Sequence, residues 1–457
     1  MIREYRSITE VKGSVLTVGG VLGVSVGERC ALVQKNGETF PGRVLELNGE
    51  KAVVLFSGNV TGISPETSKV RFWGDLPQTA LSEDILGRIL DGTGQPLDNG
   101  PAILAEEFAE ISASPSNPLK QSAARPFIQT GVSAIDALNA LACGQKLSVF
   151  SAPGLPHIKL AMQIARQAKT LGSESEKFAV VFAAIGVSHA QSAEIISEIS
   201  AGKTISSSIA FINTASDPVA ERLQTPNIAL TCAEYLAFEK EMNVLVLLFD
   251  MTNYCDALRE ISASRKEKHD RFGYPAGMQS GLASILGRAG KLEKGKGSVT
   301  VLSMLTMPGN DISHPIPAAC AAASDGKIVL SRELHKKGVF PPVDVFASAS
   351  YFREKSTGAF KTREDHAELV DQLTDAYRSG KTAIENISRF GRRELTESNL
   401  LYARFADGFE QRFLNQKTHE ERHIGETLDL GWDLLSGLPK GDFKRVAPQM
   451  ITRYMSP

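Results

Sequence analysis

Five apolar segments spaced along the middle of the chain restrict the fold more than any other feature. They are Leu147–Phe150, Phe178–Ala184, Ser208–Ile212, Val244–Asp250 and Ser298–Leu305. Each is continuous rather than alternating, and patterns with helical spacing lie between them at 159–170, 190–199, 229–241 and 254–264. Continuous apolar strands joined through helices require a parallel sheet covered on both faces. The first strand runs through a turn, Ser151-Ala152-Pro153-Gly154-Leu155-Pro156, into the helical pattern after His157. Strand, glycine-bearing turn and helix form the setting of a phosphate loop, G-x-x-x-x-G-K-[ST]. On that spacing Ser151 and Pro156 replace the two glycines, His157 the lysine and Ile158 the Ser/Thr. Proline has no N–H to aim at a phosphate, and isoleucine has no oxygen for a metal. The frame of a nucleotide-binding ATPase is present without its phosphate chemistry.

Two further positions agree. An Asp ending a parallel strand, as Asp250 does, faces the crevice at the strand C-termini where ligands bind. Opposite Pro156, His157 and Ile158, its better-supported role is to cap the following helix rather than to hold Mg²⁺. After Gly186, where a hydrolytic ATPase carries a water-polarising carboxylate, the chain has Val187. Gly202-Lys203-Thr204 and Gly380-Lys381-Thr382 match the end of the motif but lack its upstream glycine, and read as helix ends with glycine stops. Gly295-Lys296-Gly297 reads as a turn before a strand. His314, between Ser313 and Pro315-Ile316-Pro317, is expected in a segment kept extended by proline, with a structural role.

The flanking regions differ in character. Residues 1–75 hold short β-rich runs, Val15–Val18, Cys30–Gln34, Arg43–Leu47 and Ala52–Leu55, with hairpin turns at Asn36-Gly37 and Asn48-Gly49. A small closed barrel is the economical arrangement, because closure removes sheet edges. Residues 76–350 carry the αβ pattern. Residues 351–457 are helical, with Glu364–Ser379, Ala383–Phe390 and Ser398–Leu414 predicted as helices and Tyr402, Phe405, Phe409 and Phe413 as a core stripe. The fold class is therefore multidomain α/β: a β-barrel, a parallel αβ domain with a degenerate phosphate loop, and a helical domain. A net charge of −2 argues against a nucleic-acid surface. The longest apolar runs are half a membrane span, and five dispersed cysteines without a C-x-x-C pair read as reduced packing residues with no metal site.

These departures, in this order, resemble the non-catalytic B subunits of V-type/A-type rotary ATPases. The likeness rests on Ser82–Arg88 with Asp91-Gly92, Ile128–Asp136, Ser151–Ile164, Asp250–Tyr254, Ala257–Ser262, Gly273–Pro275, His314–Pro317, Thr362–His366 and Thr427–Trp432. It implies a RecA-like central αβ domain between the N-terminal barrel and the C-terminal helical domain, and a chain that binds no nucleotide-phosphate cofactor alone but completes an Mg-ATP/ADP site on a neighbouring catalytic A subunit, in a hexamer of three A and three B. It also implies contacts with a central rotor shaft and a peripheral stalk, coupling to proton or sodium transport, and a cytoplasmic position peripheral to the membrane. In that family an arginine after Pro-Pro-x-Asp-Val serves the neighbour's ATP. Here Pro341–Val345 is intact, but Tyr351 stands at the arginine position and Arg353 follows two residues later, with Ser348 and Ser350 alongside. On a strand, two residues displace a side chain by about 6–7 Å along one face. Ala322–Lys327 and Ala276–Gln279 also depart from the family pattern. A diverged B paralogue in a non-pumping assembly and a homohexameric motor ATPase are the alternatives. The motor would need a working phosphate loop.

Overall fold

The computed structural model of the chain describes residues 2–455 apart from 59–61, 112–113, 116, 118–119, 123–124, 172–176, 202–206, 294, 296 and 391–395. Seven N-terminal strands come first: β1 (Arg3–Tyr5), β2 (Ile8–Lys12), β3 (Val15–Val18), β4 (Arg29–Val33), β5 (Thr39–Asn48), β6 (Lys51–Phe56) and β7 (Lys69–Phe72). They form one antiparallel sheet in the order β1-β7-β4-β5-β6-β3-β2. Its two outer strands are adjacent in sequence, so one extended segment bent at Arg6-Ser7 lies along both ends of the sheet. Alternation sets the faces: Val70 and Phe72 join Leu16, Leu32, Val54 and Phe56 inside, while Lys69 and Arg71 point outward to Glu4.

Outside the barrel, β8 (Gln78–Leu81) pairs antiparallel with β10 (Glu107–Glu110), and β9 (Ile89–Asp91) lies between them in sequence. The central sheet takes β9 and β11 (Lys146–Ser151), β12 (Phe178–Val187), β13 (Ser208–Thr214), β14 (Asn243–Phe249), β15 (Ser298–Thr306), β16 (Gly326–Val329) and β17 (Ala349–Ser350). The order is β17-β16-β11-β15-β14-β12-β13-β9, with Gly290–Lys291 added antiparallel on β15. All neighbours from β16 to β9 are parallel. The five predicted strands are among them. β9 and β16 were not foreseen, because three or four residues carry too little pattern to separate a strand from a loop.

Helices α1 (Ser133–Leu138), α2 (His157–Gln167), α3 (His189–Ala201), α4 (Val219–Phe238), α5 (Met251–Ser264), α6 (Met278–Leu286), α7 (Pro315–Ala323), α8 (Arg332–Lys336) and α9 (Arg353–Ser356) accompany the sheet. The helix predicted at 229–241 starts instead at Val219 and passes through Pro226. Thr225 Oγ1 and Asn227 Nδ2 bond back to the carbonyls of Glu221 and Leu223 on either side of the missing proline donor. Prolines at 315 and 317 likewise do not keep their segment extended. They occupy the first turn of α7, where the missing N–H groups cost nothing, and His314 Nδ1 accepts from Ile316 N at 3.4 Å.

The C-terminal region is α10 (His366–Phe390), α11 (Glu397–Gly408), a π-helical turn Phe409–Leu414, α12 (Ile424–Leu435) and α13 (Pro448–Tyr454). Gly380 is no helix stop. It lies inside α10, where a Cβ would come within 2.6 Å of Ala406 Cβ on α11, so glycine permits the close crossing of the two helices. The predicted aromatic stripe packs as read: Phe409 meets Tyr377 at 4.8 Å and Phe413 at 4.9 Å, both Phe409 and Phe413 fully buried. The five cysteines are free and buried. The Gly202–Thr204 triplet and Lys296 lie outside the described residues. No described helix is long and apolar enough to cross a membrane.

Candidate functional site

The loop between β11 and α2 is positioned as a phosphate loop and bonded as something else. Gly154 has φ +81° with open space around it, as a tight turn needs. Two of the amides that would point at a phosphate are spent internally: Leu155 N bonds Ala152 O at 3.1 Å and His157 N bonds Leu155 O at 2.9 Å. The His157 ring folds back into the loop. Its Nδ1 lies 2.8 Å from Leu155 O and 3.0 Å from Ser151 Oγ, and the ring rests on Phe249 with centroids 5.0 Å apart. A carbonyl can only accept, so Nδ1 carries the proton and Nε2 faces Thr306 Oγ1 at 3.5 Å. Pro156 is the N-cap of α2 with no side chain to accept from it, and Ile158 presents only carbon.

Asp250 takes the helix-capping role. Its Oδ1 accepts from Thr252 N at 2.8 Å and from Thr306 N at 3.1 Å, and the residue is buried. Both donors belong to the protein's own backbone, which fixes the carboxylate against the β14–β15 edge. Val187, where a carboxylate would polarise water, is buried at the end of β12. Among the described residues no cluster of His, Cys, Asp and Glu has the make-up of a metal site. Ser151, Pro156, His157, Ile158 and Asp250 are thus brought together as read from the sequence, but the loop they form does not fit the phosphates of an Mg-nucleotide.

The second site is a groove of about 510 Å³ beside β17, lined by Val345, Phe346, Ser350, Tyr351, Arg353 and Arg378 among others. Ser348 and Ser350 are tied to the fold: Ser348 Oγ accepts from Val329 N at 2.9 Å, and Ser350 Oγ accepts from Gln145 Nε2 at 2.9 Å. Tyr351 is 77% exposed and ends in no hydrogen bond among the described residues. Arg353 does not lie two places along a strand from it. The strand stops at Ser350, a turn intervenes, and Arg353 opens α9. Its Nη2 bonds Asp371 Oδ1 of α10 at 2.7 Å. Arg378, one face along the same helix, stands over the Phe346 ring at 5.3 Å and bonds Asp375.

Sequence reasoning singled out the segments Ile128–Asp136, Thr362–His366 and Thr427–Trp432 by resemblance, but it missed Gln416 and the role of all of them, which is to lock this edge to the helical domain. Gln416 Oε1 accepts from Ser133 N at 3.1 Å while its Nε2 donates to Gly131 O at 2.6 Å. Asp136 accepts from Thr130 N, Thr130 Oγ1 and Gly131 N, and burial against those bonds pushes its carboxyl up to about 7. Buried His366 bonds Ala137 O at 3.0 Å and Thr362 Oγ1 at 3.0 Å; burial holds it down at about 4. Asp365 accepts from Trp432 Nε1 at 2.6 Å and from Arg363, so the segments 362–366 and 427–432 meet. Polar residues scattered over nearly 300 positions gave no local signal.

A β-barrel, a RecA-like parallel αβ domain whose phosphate loop has lost its donors, and a helical domain define a nucleotide-fold subunit of the rotary ATPase-head type. Three family profiles tile the chain in that order. The beta-barrel domain of the ATP synthase alpha/beta family matches 8–74, its nucleotide-binding domain 131–350, and the C-terminal domain of V and A type ATP synthase 355–455. A solved structure, a unique ATP synthase subunit NeqB from Nanoarcheaum equitans, is similar at a TM-score of 0.74. Its identity is 34%, over 93% of this chain and 100% of that one. The chain belongs to the ATP synthase alpha/beta family and carries the V/A-type C-terminal domain.

Proposed function

We propose that this chain is the non-catalytic B-type subunit of a V/A-type rotary ATPase head. It alternates with a catalytic A subunit in a hexamer of three and three, and the groove at β17 faces Mg-ATP or Mg-ADP held by the neighbour. The observation that carries this reading is the loop after β11, where Leu155 N, His157 N and the His157 ring are satisfied within the loop, Pro156 has no amide to give and Ile158 no oxygen. A loop so built lacks the lysine, the metal-binding hydroxyl and part of the amide cradle of a triphosphate site, which leaves the groove as the chain's contribution to ATP chemistry. There Arg353 is the nearest cation to Tyr351 in sequence, and it leaves Asp371 to meet the neighbour's phosphoryl group as the interface closes. A trans arginine stabilises charge on the transferring group and is worth about 10³–10⁵ in rate. The helical domain contacts a central shaft, the barrel end a peripheral stalk, and closure at the A–B interface couples hydrolysis or synthesis to proton or sodium movement in the membrane sector.

One observation favours a second reading, a B paralogue in an assembly that does not pump. Tyr351 is exposed at the arginine position, and Arg353 is engaged by Asp371. Steady-state ATP hydrolysis by the chain assembled with its A partner separates the two. The isolated chain is expected to be inactive and the complex active, with Arg353→Ala lowering the rate by about two decades or more. Turnover by the isolated chain would overturn the B-type reading. An active complex indifferent to Arg353→Ala would remove Arg353 from the mechanism, and an inactive wild-type complex would favour the non-pumping assembly.

A further inference from the structure

A cavity of about 180 Å³ sits in the seam between the barrel and the αβ domain, away from both sites above. It is lined by Arg29, Arg43 and Ser57 of the barrel side, Gln78 and Thr93 of the connecting segment, and Gln224 of α4, with Gly42, Leu55 and Ala220 among its apolar walls. Arg29 and Arg43 are direct cross-strand partners on β4 and β5. Like charges directly opposite each other on a strand pair are destabilising unless something neutralises them. Arg29 is neutralised: it makes a two-pronged bond to Asp75 at 3.0 and 2.9 Å and lies over the Trp73 ring. Arg43 has neither an acidic partner nor a hydrogen bond among the described residues, and burial lowers its pKa from the ordinary arginine value. Arg43 is half-buried in the seam, and a partly desolvated guanidinium without an anion is a group normally found paired.

The rest of the lining has the same property. The hydroxyl of Ser57, a buried residue, and the amides of half-buried Gln224 and exposed Gln78 have no protein partner among the described residues, whereas Thr93 Oγ1 is spent on Asp91 at 2.7 Å. Glu221, three residues before Gln224, is the acid on that side of α4. Burial, with Asp217 and Asp91 nearby, pushes its pKa up to about 7, which reduces its charge near neutrality. One guanidinium fork, one hydroxyl and two amides converge on a space far larger than the roughly 10–15 Å³ a single water needs. A planar fork binds two oxygens of an oxyanion at once, and the neutral donors suit its remaining oxygens.

We propose that the Arg43 cavity is a binding site for a small oxyanion of the phosphate class, bridging the barrel to the start of α4. The anion replaces the missing partner of Arg43 and fixes the barrel against the nucleotide fold. The site lies outside the degenerate loop and does not depend on the groove at Tyr351. Free phosphate and the phosphate end of a nucleotide share this chemistry.

The test is calorimetric titration of the full chain with inorganic phosphate at matched ionic strength, and separately with ADP. One phosphate per chain is expected. Arg43→Gln weakens it by about tenfold or more, the scale of a lost charged hydrogen bond. Gln224→Glu, at a partly exposed helical position, supplies a tethered carboxylate and abolishes binding without removing the arginine; thermal melts in chloride confirm that both variants fold. Phosphate binding without ADP binding identifies the free ion, and ADP binding with the same dependence on Arg43 identifies a nucleotide phosphate. The proposal is overturned if phosphate does not bind, or if binding survives both variants. It is equally overturned if binding is lost in His157→Gln but kept in Arg43→Gln, which would move the anion to the loop after β11.

Discussion

The imidazole of His157 takes the space that a phosphate-loop lysine leaves open, and it does so by bonding backward to Ser151 and Leu155 O. Four residues depart from the motif of a working loop; beside Ser151, which stands for a glycine, the other three each remove a different part of the chemistry. Pro156 removes an amide, His157 fills the loop, and Ile158 removes the metal oxygen. Restoring all three, as Pro156→Gly, His157→Lys and Ile158→Thr, is expected to confer nucleotide binding on the isolated chain. Hydrolysis should not follow, because Val187 still provides no base. Equilibrium titration with a fluorescent ATP analogue beside a turnover assay checks both halves. Ile158→Thr alone should gain nothing, since the His157 ring remains in place.

At the scale of elements, the junction of α1, α9 and α10 is held by buried polar bonds rather than by apolar area alone. Ser356 Oγ bonds Ala140 O at 2.9 Å, and His366 bonds Ala137 O. The lowered His366 pKa gives this junction a pH dependence. With the folded value near 4 and an ordinary value of about 6.5, the unfolded chain takes up a proton that the folded chain refuses as pH falls between them. Stability is thus complete above about pH 6.5 and declines toward pH 4, by an amount on the order of 3 kcal/mol for this one group. The difference between wild type and His366→Gln isolates it from other titrations. Urea unfolding of both proteins at pH 7 and pH 4.5 should show the wild type losing more than the variant, and parallel losses would count against the assignment.

Across the whole molecule, the αβ and helical domains are joined by a few polar residues that meet from distant parts of the chain. Gln416 is central among them, since its single amide serves Ser133 N, Gly131 O and Glu420 O. Gln416→Leu would keep the volume but strand the buried Ser133 donor, at a cost of about 1–3 kcal/mol, and leave Gly131 O with Arg422 N alone. Unfolding is expected to become less cooperative, with the helical domain melting ahead of the αβ domain. Calorimetry would show this as a broadened or divided transition, and a single undiminished transition would argue that apolar packing alone holds the domains together.

Much of this architecture was legible in the chain because it rests on local physics. Continuous apolar strands, turn residues such as Asn36-Gly37 and Asn48-Gly49, and the aromatic stripe from Tyr402 to Phe413 each follow from spacing, and all fall where spacing puts them. Where context outweighs propensity, sequence reading fell short. Pro226 continues a helix because neighbouring side chains bond its carbonyls, Pro315 begins one, and Gly380 serves a helix crossing rather than a stop. The sequence by itself determined which chemistry the loop after β11 lacks, because a missing N–H, cation or hydroxyl is absent in any conformation. Only the tertiary structure decided what the remaining groups do instead: that the His157 ring folds back onto Ser151 and Leu155 O, that Arg353 turns to Asp371, and that Arg43 lines a seam cavity without a partner among the described residues. Those outcomes depend on which groups distant segments bring within hydrogen-bond reach, and no local pattern encodes that distance.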